Sequence, residues 1–144
     1  MPVSEQETSE PEKVEYIHDH IRSALHDGME DRWEAVLSET DIAASRRQAV
    51  KAYVNGLRNR VWNSLQDIQT VDELERGLVI QYLELKSRWT MLNVQIQHQT
   101  RREGTPEPEL TYRATCVSLL VEALEPLLSR ERVDALAEVL AEPL

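Results

Sequence analysis

The chain has 144 residues, 26 acidic against 16 basic side chains, a formal net charge of −10, and 41% hydrophobic residues. That length and apolar content suit one domain with a sizeable core. A single cysteine, Cys116, excludes an internal disulfide and a multi-cysteine metal site. No uninterrupted apolar run approaches the roughly 18 residues of a membrane span. The N-terminus is polar and acidic, with no signal peptide, so the cytoplasm is the expected compartment.

Four glycines and no β-alternating run point to an all-α fold. The expectation is a five- or six-helix bundle packed around one long central helix near 70–102. Residues 12–144 should form one helical domain with a hinge near 100–110. Charge is uneven along the chain. Residues 1–41 carry 12 acids against 3 bases, residues 42–102 carry 5 against 10, and residues 103–144 carry 9 against 3. Such an acidic–basic–acidic order predicts that the segments complement one another when folded.

Residues 1–11 are rich in Glu, Ser, Thr and Pro and bury little, which predicts a disordered acidic tail. A helix over 12–28 follows, with Val14, Ile17, Ile21, Ala24 and Leu25 inward and Gly28 closing it. Glu15 and His18 have the Glu-x-x-His spacing of di-iron bundles. However, His20 lies about 160° from His18 around the helix and His26 about 80° from it. A second Glu-x-x-His is absent, since Gln95 precedes His98. Neither a metal nor another cofactor is expected.

A short helix over 31–39 turns Trp33, Val36 and Leu37 inward, with Asp31 and Glu34 as a capping box. The next helix, starting after Ser45, buries Val50, Tyr53, Val54, Leu57, Val61, Leu65 and Ile68. Its flank carries Arg46, Arg47, Lys51, Asn55, Arg58 and Trp62, and no acid occurs between Ser45 and Gln66. Bases interleaved with amides and an aromatic form a candidate surface for a protein partner or nucleic acid.

Leu37-Ser38-Glu39-Thr40-Asp41-Ile42-Ala43, followed by Ser45-Arg46-Arg47-Gln48-Ala49-Val50-Lys51-Ala52-Tyr53-Val54, resembles the helix-turn-helix of LuxR-type regulators. The match spans only this stretch, and the turn after Ala43 is shorter than the family pattern. The resemblance implies a DNA-binding regulator with Arg46, Arg47, Lys51 and Asn55 on its recognition helix.

Thr70-Val71-Asp72-Glu73 is a capping box that opens the longest helix. Val71, Leu74, Leu78, Tyr82, Leu85, Trp89, Leu92 and Ile96 step by three or four residues. From Leu78 onward this is the spacing of a coiled-coil seam. A second apolar set, Val79, Ile80, Leu83, Met91 and Val94, lies on roughly the opposite side. A helix apolar on two sides is buried on two sides. Leu78, Tyr82, Leu85, Trp89, Leu92 and Ile96 are the candidate self-association seam of a homodimer.

Residues 99–109, with Gly104, Pro106 and Pro108, form a linker. A helix capped by Thr111 places Ala114, Val117, Leu120, Val121 and Leu124 inward until Pro126. Ser129 caps a last helix with Val133, Leu136, Ala137 and Leu140 inward. Cys116 lies beside core positions and reads as a small buried apolar group. Phosphate-binding glycine loops and Gly-x-Ser-x-Gly are absent. An enzyme is therefore not expected. The expected function is a non-catalytic interaction protein, of regulatory, adaptor or antitoxin-like kind, working by protein–protein contacts. The alternative is a nucleic-acid-binding transcriptional regulator using the basic helix 46–66.

Overall fold

The computed structural model describes residues 9–129 together with Asp134 and Glu138. Among these residues the chain is all helical, with no strand. The helices are α1 (Glu10–His26), α2 (Met29–Glu39), α3 (Ala44–Leu65), α4 (Val71–Glu103) and α5 (Pro108–Leu124). A 3-10 turn over Glu125–Leu127 follows. Most of the predicted last helix, including Val133, Leu136, Ala137 and Leu140, lies outside the described residues. The same is true of residues 1–8 of the predicted tail.

The helix ends have local causes. α1 begins earlier than periodicity suggests because Ser9 accepts from the Glu12 N–H and Pro11 sits in the first turn. Gly28, at φ 71, turns the chain directly into α2, so that helix starts at Met29 rather than at an Asp31 cap. Thr70 caps α4 as expected, its hydroxyl accepting from the Glu73 N–H. The Val71 N–H donates to Glu10 of α1 at 2.6 Å, so another helix satisfies a second free donor of that first turn. At the far end Gly104, at φ 87, closes α4 in the left-handed conformation. The connection to α5 spans only 104–107, and Gln99 accepts from the Glu107 N–H within it. α5 then starts at Pro108, ahead of Thr111, because proline is preorganised for the first helical position.

The centre of the bundle is α5 and not α4. α5 packs against each of α1, α2, α3 and α4, with α4 along its length. Its buried residues Tyr112, Ala114, Cys116, Val117, Leu120 and Leu124 spread over about 200° of its circumference, so one neighbour cannot cover them. α4 offers its longest apolar stripe to this task. Leu74, Leu78, Tyr82, Leu85 and Leu92 join the same core as Ile21, Leu25, Trp33, Val50, Val54 and Val61. Where α4 passes the end of α3, a Cβ at Gly77 would meet the terminal methyls Leu65 Cδ2 at 2.9 Å and Ile68 Cδ1 at 3.1 Å, so a larger residue there requires these side chains to shift.

Cys116 is fully buried, and burial pushes its thiol up to about 12, a rise only partly offset by a hydrogen bond with Tyr112. It should therefore resist an alkylating or disulfide reagent at pH 8 in the native protein. Rapid native labelling would show that α5 is not at the centre; release of one thiol only in denaturant is the expected result. Trypsin should cut first at Arg101 or Arg102, in the exposed last turn of α4. The two pieces should co-elute on a sizing column, since α5 is enclosed by the four helices of the other piece.

Candidate functional site

The basic flank of α3 is largely occupied by the chain itself. Arg46 makes a two-pronged contact with Glu109 of α5, its Nη2 at 3.0 Å from Oε1 and its Nε at 3.2 Å from Oε2. These hydrogen bonds hold the Glu109 carboxyl below its ordinary range. The stabilisation this gives is present at neutral pH and is lost as acid protonates Glu109. Lys51 lies 2.7 Å from Glu34 of α2. Arg47 donates to the Ile42 carbonyl in the α2–α3 connection.

Arg58 is the only buried charged residue among those described, at 6% exposure. Its Nη2 donates to Glu30 and to Asn55, each at 2.7 Å, and its guanidinium lies 4.7 Å from the Trp33 ring centroid. Trp62 is covered by the Arg22 guanidinium at 4.9 Å and meets the His18 ring edge-on. His18 Nε2 donates to the Leu65 carbonyl at 2.9 Å, tying α1 to the C-terminal end of α3. His20 bonds the Tyr16 carbonyl of its own helix. No group of three metal-ligating side chains occurs among the described residues.

The seam read from sequence divides in two. Leu78, Tyr82, Leu85 and Leu92 lie in the core against α5 and are closed to any second molecule. Ile96 is half-buried, and Trp89 keeps 38% of its surface exposed. The uncovered apolar face of α4 is formed by part of the other set, without Val79, which is buried. Ile80 is 40% exposed, Met91 59% and Val94 45%, with Leu83 half-buried beside them. Together with exposed Ser87 and His98 they fall within about 80° of the helix surface. The core-facing stripe, on the opposite side, is the Leu-rich one that packs against α5.

Next to this face a cleft of about 790 Å³ opens between α3, α4 and α5. Arg60, Arg88 and Arg113 line it, one from each helix, with Tyr53 and Gln95 beside them and Glu84 as its one carboxylate. Sequence periodicity could not assemble this group, since its members come from three separate helices. Comparison of the chain with protein-family models, curated proteins and solved structures finds no match.

The pairing on α3 separates two kinds of arginine. Replacing Arg58 by Ala strands Asn55, uncovers Trp33 and should cost about 2 kcal/mol in denaturant unfolding. Arg46→Ala should leave the unfolding midpoint nearly unchanged, because its pair is exposed. Equal, small effects would mean that Arg58 is solvated and free to meet a partner.

Proposed function

We propose that this is a non-catalytic interaction protein that works as a two-fold dimer, pairing the outer face of α4 antiparallel with its copy. The observation that carries the reading is the order of residues along that face. About Ser87 the apolar positions of this face are arranged symmetrically: half-buried Leu83 and exposed Met91 are equally spaced on either side, and exposed Ile80 and Val94 lie further out. An antiparallel pair centred on Ser87 therefore sets each apolar side chain against an apolar one. The small serine sits where the helices approach most closely.

The helix ends support the same register. The first turn of α4 carries Asp72 and Glu73, and the last turn carries Arg101 and Arg102. Antiparallel overlap brings each acidic turn over the basic turn of the other copy, whereas parallel overlap would stack like charges. A two-fold pairing also needs only one self-complementary patch, the commonest design among oligomers. At ~1.5 Å per residue α4 is about 50 Å long, which gives this pairing room.

The nucleic-acid reading of helix 46–66 is less well supported. Arg46, Lys51 and Arg58 already have acidic partners on α5 and α2. A regulatory or adaptor role for the dimer fits a surface that presents helix rather than chemistry.

Oxidised Ser87→Cys should give a disulfide-linked dimer readily, since two-fold pairing places the two residues face to face. Trp89→Cys, on the other side of α4, should not. Buried Cys116 leaves the background low. Sedimentation of the wild type should show a dimer that Val94→Glu converts to a folded monomer. A wild type that stays monomeric across micromolar concentrations, or equal cross-linking at 87 and 89, overturns the arrangement.

A further inference from the structure

We infer that the cleft between α3, α4 and α5 is a binding site for a small, multiply charged phosphate compound of the pyrophosphate or triphosphate class. The chain carries far more acids than bases, and most cations near an acid are paired with it. Arg22 lies 2.8 Å from Asp19, Lys51 2.7 Å from Glu34, Arg58 2.7 Å from Glu30 and Arg76 3.3 Å from Asp72. The cleft departs from this pattern, with three guanidiniums facing one volume and a single carboxylate.

None of the three arginines is well matched by an acid. Arg60 makes no ion pair among the described residues, with Glu84 or otherwise. Arg88 donates only to the Tyr53 hydroxyl, at a long 3.4 Å. Arg113 reaches no closer than 4.0 Å to Glu109, whose two oxygens already serve Arg46. Its Nε is buried and has no hydrogen-bond partner among the described residues. Tyr53 organises the group: the Arg113 guanidinium stacks 4.6 Å from its ring centroid while its hydroxyl faces Arg88.

Planar guanidinium forks match phosphate oxygens in pairs, and held side chains lose less entropy on binding than free ones. Three forks from three helices exceed what one carboxylate could use, and suit a ligand that spreads several charges over a short chain. The cleft volume is within the range of small-ligand sites. Its one aromatic face is already covered by Arg113, so it has no platform for stacking a nucleobase. Charge, not base identity, is the recognised feature.

Titration calorimetry with tripolyphosphate, and inorganic phosphate as the weak comparison, tests this. Tripolyphosphate should bind one per chain and raise the melting temperature, while phosphate binds at least tenfold more weakly. Arg60→Gln and Arg88→Gln should each weaken tripolyphosphate at least tenfold, with the circular dichroism unchanged. Arg60 is exposed, so its loss does not threaten folding. Arg32→Gln, on exposed α2 away from the cleft, should have no effect. The Val94→Glu variant, outside the cleft, should still bind, which keeps this site separate from the dimer. Absence of binding at millimolar tripolyphosphate, or equal loss from Arg32→Gln and Arg60→Gln, overturns the assignment.

Discussion

The fold depends on enclosing α5. Its side chains Tyr112, Cys116, Val117, Leu120 and Leu124 are fully buried, and they point in too many directions for a two-helix contact. At about 1.5–3 kcal/mol for each large apolar side chain removed from water, that helix alone drives much of the assembly. Each of the other four helices must supply a stripe, and their arrangement follows from where those stripes are. The long helix α4 then serves as the outer wall that runs beside α5, and its other side remains available.

Electrostatics helps set the register of the walls around α5. α3 brings a run of bases without acids, while α2 and α5 bring carboxylates that reach them: Glu34 to Lys51, Glu30 to Arg58, Glu109 to Arg46. Exposed pairs such as Lys51–Glu34 add little stability each. Their value is in register, since a slipped α2 would draw both Glu30 and Trp33 away from Arg58. The Arg58 contact is the one of these that couples packing to charge, through a cation over an indole ring and a bifurcated donation. The same arrangement pairs Arg46, Lys51 and Arg58 with acids of the chain itself.

Periodicity made the helices legible and the Thr70 cap legible, because both are local properties. Which helix becomes the centre is not local. The seam of Leu78, Tyr82, Leu85 and Leu92 has coiled-coil spacing whether its partner is a second chain or α5. Two apolar stripes on one helix do not say which of them the fold covers, or by what. The deciding fact was in another segment: α5 is shorter but apolar around more of its circumference, so it takes the middle. The Arg58 and Arg46 pairings follow from the acidic–basic–acidic order of the chain, although nothing in that order says which acid meets which base. The cleft was illegible, because Arg60, Arg88 and Arg113 come from three helices and share no spacing.

The two faces of α4 differ in what covers them. The inner face is Leu-rich with one tyrosine, and packs densely where shape must be matched once. The outer face has an isoleucine, a methionine and a valine around a central serine, fewer and smaller groups that a monomer can leave in water without collapse. The arginine cleft lies along the border of that outer face, with Ser87 and Met91 lining both.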